Sequence, residues 1–490
     1  MKRAAVLRFG GAAWLAVGLG GCLHLPAARP PEPAVAVPEE FAASVPSASA
    51  PSVDGARGWW TGFGSPGLDA AIAAALADNP EVDAIAARIE AAAAQARVAG
   101  AELWPQASAG VDASRRRQSF LGFPIPGAED RVLTTTTTTL SAMLNVSWEV
   151  DLWGRVRAAR RAATASHRAS SANGAAAYLS LTGQTAKAWL AWREAGAQAG
   201  LADELVENRA AALAGIERRF SAGLAPAATL RRSRAELASV RATAEARHRA
   251  AGAARRVLQA LMGSYPDGAW RADLEPLPEL SKAPAPGAPA DLLLGRPDLV
   301  ALGHRLEAAG YRIHEARAAR LPALRLSGSV GRTGLEAEDL TADDFTIWSL
   351  AAGLLQPVVQ GGRLAGAEDL AEARHREAQA VWSGAFLRAA TEVESALAAD
   401  HELARGISAL EEAVSEGEAA ADLAARRHLQ GIGDYLERLE AERSLAAARV
   451  ELLAARRARL ENRVDLHLAL GGGYRPDGLV SPSFAEKDSR

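Results

Sequence analysis

Two carboxylates stand two positions apart in the stretch VSWEVDLWGR, namely Glu149 and Asp151. On an extended chain such residues share a face roughly 7 Å apart, a spacing at which a glycosidase could place an acid and a nucleophile. That chemistry would also need sugar-stacking aromatics around a cleft, and no such set recurs. The pair instead continues an alternation: Leu144, Val146, Trp148, Val150 and Leu152 interleave with Asn145, Ser147, Glu149 and Asp151, which is a strand with one apolar and one polar face. The nine histidines show no HExxH or other paired spacing, so no metal centre is expected. Gly471-Gly472-Gly473 follows a helical pattern and reads as a C-cap rather than a phosphate loop. With no nucleophile elbow and no Walker motif, the expectation is a protein that is not an enzyme and carries no cofactor.

The elements that must hold such a strand are helical. Nearly half of the 490 residues are apolar but only 5% are aromatic, so alanine dominates and close helix packing is favoured over a bulky core. A net charge of -3, with arginines balanced by glutamates, leaves no electrostatic footprint for nucleic acid. One cysteine excludes a disulfide framework or a thiolate cluster. Its position is informative: a basic Met1-Lys2-Arg3 start and a mostly apolar run lead to Leu19-Gly20-Gly21-Cys22, which resembles a bacterial lipobox. The plainer alternative is an incidental cysteine in a leader. An acylated Cys22 would be held firmly, because each buried methylene contributes roughly 0.8 kcal/mol, and Leu23 in place of aspartate resembles lipoprotein sorting signals that imply the outer membrane. Pro26 to Pro51 then reads as a flexible tether.

The chain is written twice. NPEVDAIAARIEAAAAQARVAGAELWP from Asn79 aligns with RPDLVALGHRLEAAGYRIHEARAARLP from Arg296, placing Pro80 on Pro297, Arg88 on Arg305, Glu90 on Glu307 and Pro105 on Pro322. Further on, Gly154-Arg155 pairs with Gly362-Arg363, Gly223 with Gly431 and Gly263 with Gly471, at a shorter offset. The first copy therefore carries about nine extra residues between Pro105 and Arg155, which is loop behaviour. That loop falls in RRRQSFLGFPIPGAED and is flanked by alternating segments. A hairpin is expected there and again in the second copy, where Leu324, Leu326, Gly328 and Val330 alternate with Arg325, Ser327 and Ser329. Four strands cannot close a barrel, and open edges in lipid cost several kcal/mol per unpaired group; several chains must contribute to one sheet. No other apolar run approaches the roughly 20 residues of a spanning helix. After each hairpin comes a proline-free helical pattern of roughly 65 residues, on the order of 100 Å long, turning at Gly223-Pro226 or Gly431. Heptad spacing of Leu439, Ala446, Leu453 and Leu460 predicts antiparallel coiled-coil pairs.

SWEVDLWGRVRAARRAA, the WWTGFGSPGLDAAIAAALADNPEV run, QPVVQGGR, YLERLEAERSLAAARVELLAARR and VDLHLALGGGY together resemble the blocks of TolC-like outer-membrane efflux lipoproteins of the NodT type, in order from Trp59 to Tyr474. The resemblance implies a homotrimer in which four strands per subunit form a twelve-stranded transmembrane barrel, continued by an α-helical barrel through the periplasm. It implies a periplasmic adaptor protein and an inner-membrane pump of RND type as partners, with no nucleic acid involved. Asn145, Ser147, Glu149 and Asp151 would face the lumen, and Val146, Trp148 and Val150 the outer-membrane lipid, with Trp148 and Trp153 candidates for an interfacial belt. The equivalent turns FSAGLAP and LQGIGDY would meet the adaptor through Gly223, Leu224, Gly431 and Ile432, although plain helix turns would use the same glycines. Arg427, Asp434 and Glu440 are gate candidates at that end. His428 stands where relatives carry an aromatic and Glu440 where they carry aspartate.

The expected organisation is a leader over 1–21, an acylated N-terminus and tether over 22–58, a first repeat over 59–263 with its hairpin at about 104–152, a linker over 264–290, a second repeat over 291–474 with its hairpin at about 321–357, and a flexible tail over 475–490. The function implied is the exit duct of a tripartite efflux pump for drugs or metabolites. The alternatives are the outer component of type I protein secretion and a non-conducting coiled-coil scaffold.

Overall fold

The computed structural model describes residues 36–43, 58–120, 132–270, 276–280, 284, 286–430 and 432–474. In chain order the elements are α1 (Pro66–Asp78), α2 (Pro80–Ala101), β1 (Gln106–Phe120), β2 (Leu133–Val150), α3 (Arg155–Ser221), α4 (Ala227–Leu261), α5 (Leu292–Gly295), α6 (Pro297–Ala318), β3 (Ala323–Gly334), β4 (Thr346–Leu355), α7 (Arg363–Leu429) and α8 (Tyr435–Ala469). The internal repeat survives as equal lengths: α2 and α6 have 22 residues, α3 and α7 have 67, and α4 and α8 have 35. The chain divides into two compact units. One comprises Glu90–Ala169 with Gly303–Ala380, and the other the described parts of Glu32–Ile89, Ser170–Leu302 and Val381–Arg490.

The first unit contains the sheet. All four strands are antiparallel, in the order β1-β2-β3-β4, so each hairpin pairs within itself and β2 joins the two hairpins by pairing with β3 from Leu140↔Gly334 to Val150↔Leu324. β1 and β4 are the edges, and every residue of both is exposed. The β3–β4 connection holds two short 3-10 turns, Ala337–Thr341 and Asp343–Phe345.

In the second unit the long helices run as antiparallel pairs. Along α3 and α4, Asp203 contacts His248 (2.9 Å) and Glu217 contacts Arg234 (2.8 Å). Along α7 and α8, Glu418 contacts Arg449 (2.7 Å), Glu411 contacts Arg456 (2.8 Å) and Asp400 contacts Arg463 (3.2 Å). In each pair one number rises as the other falls. Two apolar clusters lock the pairs to the shorter helices. Trp59, Phe63, Leu68 and Ile72 pack with Trp189, Leu190, Leu258, Leu460 and Val464, while Leu292 and Leu299 pack with Phe386, Val393, Leu397 and Leu466. Each such side chain contributes about 1.5–3 kcal/mol when buried.

One expectation changes here. The Pro- and Ala-rich segment from Pro26 to Pro51 is not a free tether over its described part, 36–43. Phe41 is buried in the second cluster, and the Glu394 carboxylate accepts the backbone N–H groups of Ala42 (2.7 Å) and Ala43 (2.9 Å). A single aromatic with an apolar slot and a carboxylate to anchor the turn outweighs a composition that argues for freedom. Among the described residues no helix is long and apolar enough to cross a membrane.

Candidate functional site

Register sorts the sheet into two faces. Residues directly opposite one another on antiparallel strands project to the same side, so Ala107↔Val146↔Gly328↔Leu350 and Ala109↔Leu144↔Val330↔Trp348 form continuous rows. With Val111, Ala113, Leu140, Ala142, Leu326, Ala352 and Leu354, these rows make one face mainly apolar across all four strands, until Arg332 and Thr346 enter it level with Val111 and Ala142. Gln106↔Ser147↔Ser327 and Ser108↔Asn145↔Ser329↔Ser349 lie on the other, where the Ser329 and Ser349 hydroxyls are 2.8 Å apart. Val111, Trp348, Leu350 and Leu354 are each more than 60% exposed, so the apolar face has no partner among the described residues.

The strand ends sooner than alternation suggested. β2 stops at Val150, and Asp151 lies beyond it. Its Oδ1 and Oδ2 accept the backbone N–H groups of Val156 (3.1 Å) and Arg157 (2.9 Å) at the start of α3, and its Oδ2 also takes the Arg157 Nε (3.0 Å). A carboxylate that satisfies orphan amides at the positive end of a helix is a cap. Asp151 is thus a junction residue and not a fourth member of the Asn145, Ser147, Glu149 row. Glu149 does remain on the polar face, beside Arg325 across the β2–β3 ladder (3.9 Å), and its Oε1 accepts the Arg155 Nε at 2.9 Å. This bond, with burial opposing it, raises the Arg155 pKa. Both carboxylates of the opening pair therefore have structural partners. The junction is completed by Trp148, whose indole N–H donates to Leu103 O (3.0 Å), and Trp153, whose N–H donates to Pro322 O (2.7 Å).

At the far turns, α3 and α7 end in the same way. Leu224 N–H reaches back to Arg219 O (2.8 Å) and Ile432 N–H to Arg427 O (3.1 Å), the six-to-one bond of a Schellman cap. Gly223 adopts the left-handed conformation at φ +73 with open space around its α-carbon. Gly431 lies outside the described residues, as does Cys22. Leu224 and Ile432 are 70% and 68% exposed, and Leu213, Ile216, Leu230, Tyr435 and Leu439 form one cluster between the turns. The three gate candidates are not paired with one another. Arg427 makes its ion pair with Glu437 (3.1 Å), Asp434 is the N-cap residue of α8, and Glu440 is exposed. His428 packs its ring 5.8 Å from Tyr435, whose phenol oxygen accepts the Ser233 hydroxyl at 2.9 Å. Glu437, in the first turn of α8, was not singled out by spacing.

A second feature had no signal in the sequence. Arg209 of α3, 3% exposed, is paired with Glu442 of α8 and lies 3.8 Å from Glu236 of α4. Arg443 also pairs with Glu236 and Arg438 with Glu442. Among the described residues no three His, Cys, Asp or Glu side chains form a metal-binding group.

The outer membrane efflux protein family matches over residues 71–264 and 288–472, two segments that coincide with the two copies of the repeat. The chain is 32% identical over 465 residues to the pyoverdine export outer membrane protein OpmQ of Pseudomonas aeruginosa, covering 94% of this chain and 95% of that one. It is 31% identical over 469 residues to the toluene efflux pump outer membrane protein TtgF of Pseudomonas putida, covering 94% and 96%. In three dimensions it is similar to the open-state MtrE outer membrane channel of Neisseria gonorrhoeae, with a TM-score of 0.79, 28% identity, and coverage of 92% of this chain and 99% of that one. The apolar-faced sheet, the duplicated long helices and these matches agree: the chain belongs to the outer membrane efflux protein family and is an outer-membrane efflux channel.

Proposed function

We propose that three copies of this chain pool their sheets into one closed barrel of twelve strands and form the passive exit duct of a tripartite pump. The observation that carries the reading is the sheet itself: four antiparallel strands, one apolar face unpartnered among the described residues, and two fully exposed edges. In a bilayer every edge amide must be satisfied, and only closure satisfies all of them. Asn145, Ser147 and Glu149 then line the lumen while Val146, Trp148 and Leu350 face lipid. Acylated Cys22 anchors the chain, and the docked Phe41 segment fixes where the anchor line reaches the protein.

Exposed Leu224 and Ile432, together with Gly223 and the sequence-equivalent Gly431, are the contacts for a periplasmic adaptor, and an inner-membrane pump of RND type supplies the energy. Arg427, Glu437, Asp434 and Glu440, repeated by threefold symmetry, supply rings of charge near the closed end. The cargo classes named for relatives differ widely, from pyoverdine to toluene, which suits a duct whose wall is unselective. The test is electrical and oligomeric together. Purified protein should migrate as a heat-modifiable trimer and open steps of conductance in a planar bilayer, and Glu440→Ala should raise the open fraction. A monomer that leaves the bilayer silent would refute the duct.

A further inference from the structure

The two open edges of the sheet carry opposite charge at the same end. β1 rises to the loop end through Arg115, Arg116 and Arg117, all exposed and without a salt bridge among the described residues. At the other edge, β4 begins at Thr346 immediately after a segment bearing Glu338, Asp339, Asp343 and Asp344. Of these, Asp343 is paired with Arg332 of its own hairpin and Asp339 accepts the N–H groups of Leu335 (2.7 Å) and Glu336 (2.9 Å). Glu338 and Asp344 are exposed and form no salt bridge among the described residues.

Strand direction makes these features meet. β1 and β4 run opposite ways in a sheet of strictly alternating sense, so when the β1 edge of one copy joins the β4 edge of the next, the alternation continues and both loop ends coincide. The ladder places Ala142 level with both Val111 of β1 and Arg332 of β3, and Arg332 in turn level with Thr346. Within one chain β1 therefore continues past the level at which β4 begins, and a closure that seats this overhang against the segment before the neighbour's β4 would set its arginines beside acidic side chains and not beside strand.

We propose that Arg115, Arg116 and Arg117 of one copy form ion pairs with the Glu338 and Asp344 side of the next copy, and that this complementarity sets the register in which the barrel closes. The inference rests on the closed-barrel reading above. A β-edge offers the same amides at every two-residue slip, and a slip of one inverts the lipid and lumen faces. Backbone hydrogen bonds alone cannot reject the wrong closure, whereas opposed charges at one end can, because like charges directly opposite destabilise.

The experiment is a charge swap in the full chain, read as the temperature at which the detergent-resistant trimer dissociates. Arg115→Glu with Arg117→Glu should lower it, as should Glu338→Lys with Asp344→Lys. The combined four-fold variant should recover most of the loss, and 1 M NaCl should weaken the wild type and abolish the difference, since the screening length falls to about 3 Å. Losses that simply add in the combined variant would overturn the pairing. An effect of the arginine variant alone, present only with phosphate-bearing lipid, would overturn it in favour of a headgroup contact. A wild-type chain that never trimerises would instead refute the closed barrel, leaving the two failures distinct.

Discussion

Single residues hold several of the junctions between the described elements, and their chemistry can be tested one at a time. Asp151 converts a strand into a helix by accepting two amides that would otherwise point at nothing. Replacing it with alanine should cost about 1 kcal/mol, read as a lower midpoint for thermal loss of the helical circular dichroism signal in detergent. Gly471 works by absence of a side chain. An added β-carbon would fall 1.8 Å from Gly295 O at a φ of +83, and the repeat-equivalent Gly263 has Asp78 O at 2.2 Å, whereas Gly223 has the same handedness but open space. Gly471→Ala should therefore cost well over the roughly 1–2 kcal/mol of left-handed strain alone, and Gly223→Ala no more than that strain; equal losses would contradict the close approach. His467 titrates abnormally. It stacks on Trp59 with ring centroids 5.4 Å apart, and burial, aided by the Arg463 charge, pushes its pKa down from 6.5 to about 4. The unfolded chain binds this proton more readily, so the folded state loses stability as pH falls from the ordinary histidine value toward 4. The loss should be about 2 kcal/mol between pH 7 and pH 5. A His467→Gln variant should lack that slope, whatever its stability at pH 7.

At the level of elements, the coupling of α3, α4 and α8 through buried charge is the least replaceable link. Removing Glu236 leaves Arg209 inside the protein with one counter-charge fewer and also strips Arg443 of its partner. Glu236→Ala should destabilise by about 3 kcal/mol, while replacing Arg209, Glu236 and Glu442 together by apolar residues should be much milder. Denaturant midpoints of the two variants measure the difference. This link also marks where sequence reasoning stopped. The repeat, the hairpins and the proline-free helices all arise from local pattern and appear in the structure; the long helices have matched lengths in the two copies, whereas the hairpin strands run to 15 and 18 residues in the first and 12 and 10 in the second. Heptad spacing identifies which residues share a stripe but not which second helix pair packs on it, so Arg209, Glu236 and Glu442 read as ordinary solvated charge. Alternation likewise gave the face of Glu149 but ran two residues too far, through Asp151 and Leu152, because a capping carboxylate and a lumen carboxylate look alike until the helix amides have positions. Phe41 was missed for the related reason that one aromatic in a Pro- and Ala-rich run carries no periodicity.

For the whole molecule, the decisive question is which face of the sheet meets lipid, and two neighbouring positions on β4 separate the answers. Leu350 belongs to the row Ala107↔Val146↔Gly328↔Leu350, well inside the apolar band, while Ser349 belongs to the adjoining polar row with Asn145 and Ser329. The paired β2 stretch from Leu140 to Val150 has the roughly 9–11 residues of a tilted membrane strand, so Leu350 lies near mid-depth. Leu350→Arg should then cost about 2–4 kcal/mol of insertion, seen as loss of trimer from the outer-membrane fraction. Ser349→Arg adds the same charge to the same strand, one residue away, and should leave assembly intact while shifting the single-channel reversal potential toward anion selectivity under a salt gradient. In the proposed trimer three such charges would ring one lumen, which makes the shift measurable even in a wide pore. If Ser349→Arg blocked insertion and Leu350→Arg altered selectivity, the sheet would close the other way round, and Asn145, Ser147 and Glu149 would lose their place in the duct together.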